Sequence, residues 1–136
     1  MKLIESGFQF RDPEITCVEF YINEDFDNEK FKDFTGLNAS LKKWKNRDGN
    51  NAYVEMTIDM GERNSMFPFK IKVAMKSEFI WPETLGEDEI SAYLKINAPS
   101  LLMAYIRPVI AQITGGSKYP ALNLPFIDFT QVDVEY

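Results

Sequence analysis

The stretch Phe67-Pro68-Phe69-Lys70-Ile71-Lys72-Val73-Ala74-Met75-Lys76-Ser77-Glu78-Phe79-Ile80-Trp81 decides the architecture of this chain. Phe67, Phe69, Ile71, Val73, Met75, Phe79 and Trp81 alternate with Lys70, Lys72 and Lys76, the period of a strand with one buried and one wet face. Upstream, Val54, Met56, Ile58 and Met60 alternate with Tyr53, Glu55, Thr57 and Asp59, which predicts a neighbouring strand over 53–60. Gly61-Glu62-Arg63-Asn64-Ser65 joins the two, and five turn-forming residues between alternating runs indicate an antiparallel hairpin.

Further outward, Arg47-Asp48-Gly49-Asn50-Asn51 is a second turn, which makes 37–45 a third strand. Val18, Phe20 and Ile22 continue the parity of Phe8 and Phe10 in a first strand, with Pro13 where a bulge or an edge tolerates it. The sum is a four-stranded antiparallel sheet. Between the first two strands, residues 26–36 predict a short helix capped by Asp27, stapled by Phe26 and Phe31 and ended by Gly36.

The later part is helical. Glu87-Asp88-Glu89 precedes a short helix over 90–95, where acids favour the positive end of the macrodipole. A long helix is predicted over 98–114, with Asn97 as N-cap, Pro99 in its first turn and Gly115-Gly116 ending it. Leu101, Leu102, Tyr105, Ile106, Val109, Ile110 and Ile113 form its apolar stripe, and Pro108 predicts a bend near 104–107. After it, residues 119–129 are rich in large apolar side chains and carry Pro120 and Pro125, so they form an extended segment that either covers the core or builds a binding surface. The fold class is α+β, one domain over 1–136: a sheet followed by one long helix.

Composition narrows the function. The 136 residues are 45% hydrophobic and 26% charged, as in an ordinary folded domain. With no histidine, imidazole bases, Ser-His or Cys-His pairs and His-containing zinc sites are excluded. Cys17 alone can close no intrachain disulfide. A net charge of -6 disfavours nucleic acid. The longest uncharged stretch, 96–106, is too short to span a membrane, and no apolar signal region follows Met1, so a cytoplasmic location is expected. Gly115-Gly116-Ser117-Lys118 lacks the Gly-Lys-Ser/Thr order of a phosphate loop and follows a helix, so it reads as a helix end. No pair of acids shares an apolar pocket signature; no enzyme activity and no cofactor are expected. The aromatic set Phe26, Phe31, Phe34 and residues 119–129 either staples loops to the sheet or lines a groove for extended apolar chains.

The residues Asn97-Ala98-Pro99-Ser100-Leu101-Leu102-Met103-Ala104-Tyr105-Ile106-Arg107, then Gly116, then Tyr119-Pro120-Ala121-Leu122-Asn123-Leu124-Pro125, resemble the SecB-type export chaperones. The order of elements is similar too, over about 15–129. This resemblance implies an ATP-independent holdase, a homotetramer built as a dimer of dimers, that keeps unfolded polypeptides competent for export. It implies a client groove carrying Phe26, Phe31, Phe34, Tyr119, Leu122, Leu124 and Phe126, and an oligomer interface on the helix stripe from Leu101 to Ile113. The family's second C-terminal helix is expected to be shortened or missing. SecA is the partner implied, but Lys70 and Lys72 stand where the family presents acids and argue against that docking. Shortened chains of this type also resemble chaperones dedicated to an antitoxin, and a structural adaptor is the reading from another class.

Overall fold

The computed structural model describes residues 1–27, 29–30, 39–64 and 66–132, with backbone alone over 39–46. Four strands, β1 (Gln9–Ile22), β2 (Ala39–Asp48), β3 (Asn51–Gly61) and β4 (Phe69–Ile80), form one antiparallel sheet in the order β1-β4-β3-β2. Two helices follow, α1 (Glu87–Ala92) and α2 (Ala98–Gly115), so the expected α+β plan is what the chain adopts. Ala52, Val54, Met56, Ile58 and Met60 of β3 and Phe69, Ile71, Val73, Met75 and Phe79 of β4 are buried under Leu102, Met103, Ile106 and Ile110 of α2. This is the period-two face of the strands meeting the helical stripe, the expected two-layer core.

Two turns depend on backbone freedom. Gly61, at φ +76°, lets β3 turn towards β4; a Cβ there would clash with the Phe69 carbonyl oxygen. In the β2–β3 hairpin, Gly49 at φ +59° turns the chain between the paired residues Asp48 and Asn51. The third strand runs three residues further than the sequence pattern indicated, because the ladder continues to that turn.

The bulge expected at Pro13 is present: the register with β4 shifts between Arg11 and Glu14, and Asp12 takes φ +50°. Buried Ser77 donates to the Arg11 carbonyl at 2.7 Å, satisfying an acceptor at the distorted rung. A second shift, between Ile15 and Cys17, has no proline to mark it. The two extra residues cancel, which is why Phe10, Val18, Phe20 and Ile22 keep one parity and all pair with the core-facing residues of β4.

The helical part departs from expectation at Asn97. Its backbone is helical (φ -75°, ψ -39°) and its side chain makes no capping bond, so it is not an N-cap. Instead α1 and α2 are joined by a π-helical turn over Tyr93–Asn97. Pro99, two residues on, has no N–H to offer the carbonyl four residues back, and a wider turn there accommodates its ring. The first turn of α1 does hold Glu87, Asp88 and Glu89, and Glu87 accepts both Arg47 Nη atoms, at 2.9 and 2.8 Å. Pro108 lies inside α2 without interrupting it. Ala104, whose carbonyl loses its bond, is on the solvent side where water can replace it. For the helix expected over 26–36, Asp27 accepts the Glu29 N–H at 3.0 Å as a cap would; Phe31, Phe34 and Gly36 lie outside the described residues.

No helix among the described residues is long and apolar enough to cross a membrane.

Candidate functional site

Residues 119–129 leave the end of α2 and return alongside it. Thr114, fully buried, receives the Leu122 N–H at 2.7 Å and donates to the Ile110 carbonyl at 2.7 Å. Arg107 Nη2 donates to the Pro125 carbonyl at 2.6 Å. Seven residues of helix separate Thr114 from Arg107, about 10 Å at 1.5 Å per residue, and three extended residues separate Leu122 from Pro125, again about 10 Å. The segment is therefore extended and antiparallel to α2, as two prolines require. Gly115 opens the way, since a Cβ there would lie 3.2 Å from that of Ala121.

Along this segment Leu122, Leu124 and Ile127 are half-buried against the core, Phe129 is buried, and Phe126 is 96% exposed. The Arg107 guanidinium lies 5.2 Å from the Phe126 ring centroid. The far end is closed by Asp128, which accepts the Thr130 N–H at 2.9 Å and its hydroxyl at 2.5 Å; these bonds hold its carboxyl below the usual carboxylate range.

Phe26 and Tyr119, expected on the groove, are packing residues. Phe26 meets the edge of Tyr119 at 6.1 Å, Tyr119 also meets Phe69 at 6.2 Å, and the Tyr119 hydroxyl donates to the Asn23 carbonyl at 2.9 Å. Both are buried because the chain after β1 and the chain after α2 meet over the end of β4. Of the other expected groove residues, Leu122 and Leu124 pack against the core from the returning segment and Phe126 stands out from it.

The helix stripe expected at an oligomer interface divides in the same way. Leu102, Ile106 and Ile110 are fully buried by the chain's own sheet, Leu101, Val109 and Ile113 are half-buried, and Tyr105 is exposed. One helix over four strands explains the division, since α2 packs on β4 and β3 and barely touches β1. The core-facing side of β1 is left open at Phe10, Ile15 and Val18, beside Tyr105, whose ring meets Phe10 at 6.1 Å. At one end of this strip Phe8, Phe10, Phe79, Tyr93 and Leu101 line a cleft of about 400 Å³. Strand parity could not reveal it, because Phe10 and Val18 carry the same pattern as strand residues that the helix does cover, and Ile15 reaches this face only through the two register shifts.

The opposite face of the sheet is a charge ladder. Lys72 stands between Glu19 and Asp59, Lys76 between Glu14 and Glu55, and Glu78 between Arg11 and Tyr53. Lys76 reaches Glu14 at 3.4 Å, and the Tyr53 hydroxyl donates to Glu78 at 3.1 Å, which raises the tyrosine's pKa. The basic face inferred from β4 alone is thus interleaved with acids that only the strand order brings beside it. Among the described residues no cluster of three metal-ligating side chains occurs.

Comparison with known proteins agrees with this architecture. The model of the SecB family, described as preprotein translocase subunit SecB, matches residues 35–134. The protein-export protein SecB of Anaplasma phagocytophilum (strain HZ) is 42% identical over 48 residues, 35% of this chain and 30% of that protein. Its counterpart in Rhodospirillum centenum is 28% identical over 86 residues, 61% of this chain and 51% of that protein. These matches span about half the length of those relatives or less. Among solved structures, the SecB-like chaperone of Mycobacterium tuberculosis, in complex with a peptide from the HigA1 antitoxin, superposes with a TM-score of 0.64 at 18% identity, covering 88% of this chain and 90% of that one. With a family match over well more than half of its residues and the family's sheet-then-helix plan, this chain belongs to the SecB family.

Proposed function

We propose that this protein is an ATP-independent chaperone that holds unfolded polypeptides by burying their apolar side chains, in the service of protein export. The observation that carries the reading is the apolar lip of residues 122–126. Phe126 projects almost fully into solvent from a backbone stiffened by prolines and tied to α2 at Thr114 and Arg107. A rigid aromatic on an extended segment offers an unfolded chain both a hydrophobic anchor and unpaired peptide groups, with little ordering left to do on binding. Family membership supports the same reading.

The open strip of β1 supports self-association. Phe10, Ile15 and Val18 lie exposed on an outer strand, and a fourteen-residue edge with apolar side chains invites a second chain. A homotetramer, as a dimer of dimers, is the assembly proposed; Leu101, Tyr105, Val109 and Ile113 remain as its helix contacts, without the three buried residues. SecA is the partner proposed for the charge ladder, whose acids Glu14, Glu19, Glu55 and Asp59 answer the objection based on lysines alone.

The test is suppression of aggregation of a chemically unfolded polypeptide diluted into buffer without nucleotide. Equimolar chaperone is expected to suppress light scattering, and Phe126→Ala to weaken client affinity by about 1–3 kcal/mol with the fold intact. Unchanged suppression by the variant would sink this site. A second reading, a chaperone dedicated to an antitoxin, is favoured by the antitoxin peptide bound to the structural neighbour. It predicts that one antitoxin is protected at concentrations where other unfolded chains are not.

A further inference from the structure

The client reading treats Phe126 as an anchor, yet a side chain that is 96% exposed is packed against little that would hold it. Arg107 is the neighbour that reaches it. It sits seven residues before Thr114 on α2, and its guanidinium makes two different contacts with the lip: Nη2 donates to the Pro125 carbonyl at 2.6 Å, and the planar head lies 5.2 Å from the Phe126 ring centroid. The first contact fixes the backbone just before Phe126, and the second favours one placement of its ring. Pro125 restricts the same backbone from within, and its carbonyl has no intrasegment partner because the segment forms no regular structure.

We infer that Arg107 is a positioning residue for client binding, holding Phe126 presented to solvent; this rests on the client reading above. An exposed aromatic that is free to fold back onto Leu122 and Leu124 must be ordered when a client arrives, at a cost in affinity, whereas one already held bears no such cost. Arginine suits the task because its fork can donate to a carbonyl while its face meets a ring; lysine offers only a point charge. The substitution Arg107→Met keeps the aliphatic stem and removes both contacts.

Binding of reduced, carboxymethylated α-lactalbumin, a permanently unfolded polypeptide, is measured for the full-length wild type, Arg107→Met, Arg107→Lys, Phe126→Ala and the double variant Arg107→Met/Phe126→Ala. Thermal unfolding and solution mass are followed in parallel. The expected result is a loss of about five- to 150-fold for Phe126→Ala, the 1–3 kcal/mol of an anchor residue, a comparable loss for Arg107→Met, and a double variant within about twofold of Phe126→Ala alone. Arg107→Lys is expected to recover part of the loss. A 4-fluorophenylalanine placed at 126 reads the ring directly, and Arg107→Met is expected to shift and sharpen its fluorine resonance.

Wild-type affinity in Arg107→Met, losses that multiply in the double variant, or an unmoved fluorine signal would each overturn the positioning role while leaving Phe126 as an anchor. Wild-type affinity in Phe126→Ala would overturn the client reading of the lip, and the role of Arg107 with it.

Discussion

Thr114 shows how much one buried hydroxyl decides. It donates to the Ile110 carbonyl and accepts the Leu122 N–H, so the helix end and the returning segment share one polar atom inside the core. Thr114→Val keeps the shape but strands a partly buried N–H, a loss of about 1–3 kcal/mol; urea unfolding checks it, and an unchanged midpoint would show that the segment is held without this bond. At the surface, Glu87 accepts two bonds from Arg47, which lower its pKa from the ordinary value. Its folded pKa is below the unfolded one, so the stabilisation is present above the unfolded value, about 4.3, and is lost as pH falls through the folded value. Glu87→Gln is therefore expected to be less stable than wild type at pH 7 and to match it near pH 2. A difference that persists in acid would show that the pair acts through something other than charge.

At the scale of elements, α2 combines a core helix with two working flanks. Leu102, Ile106 and Ile110 face the sheet, Tyr105 leans towards β1, and Arg107 holds the returning segment. Ile106→Ala removes a fully buried side chain and is expected to cost about 2–5 kcal/mol in chemical denaturation. A loss below 1 kcal/mol would mean that the helix rests on the sheet more loosely than its burial implies. The π-helical turn before Pro99 and the bulge beside Pro13 share a physical origin: a residue without an N–H forces the regular ladder to widen or skip. The sequence located both prolines, but a missing donor can be met by a cap, a kink, a π turn or a bulge, and the surrounding packing selects among them.

For the whole molecule, one helix cannot cover four strands, and among the described side chains an uncovered part falls on β1, an outer strand. If the proposed tetramer uses that strip, placing charge in it, as in Val18→Lys, is expected to leave the monomer folded while lowering the solution mass, read by light scattering at micromolar concentration. A mass that does not change would move the interface elsewhere. On the other face, Glu19→Lys turns the rung Glu19-Lys72-Asp59 basic. If SecA docks there through acids, this variant is expected to weaken a salt-sensitive interaction in a pull-down; equal retention would exclude the face.

The sequence by itself determined the local alternations and the turns that join neighbouring runs. Period-two runs around the turns at Gly49 and Gly61, the helical stripe before Gly115 and the twice-interrupted segment after it were legible because each depends on residues a few positions apart. Along the segment the sequence marks Leu122, Leu124 and Phe126 as large and apolar, but that Phe26 and Tyr119 are buried against each other has no local signal, because aromatic character does not say which aromatics meet. The role of Arg107 had no local signal, since its partner lies eighteen residues ahead and is a backbone carbonyl. Only tertiary structure decided that α2 covers β3 and β4 and leaves β1 open, and that the lysines of β4 stand between acids of β1 and β3. The reason is strand order: a sequence fixes which face each side chain takes, but burial and charge balance depend on which strand lies alongside, and β1 pairs with β4 across the intervening chain.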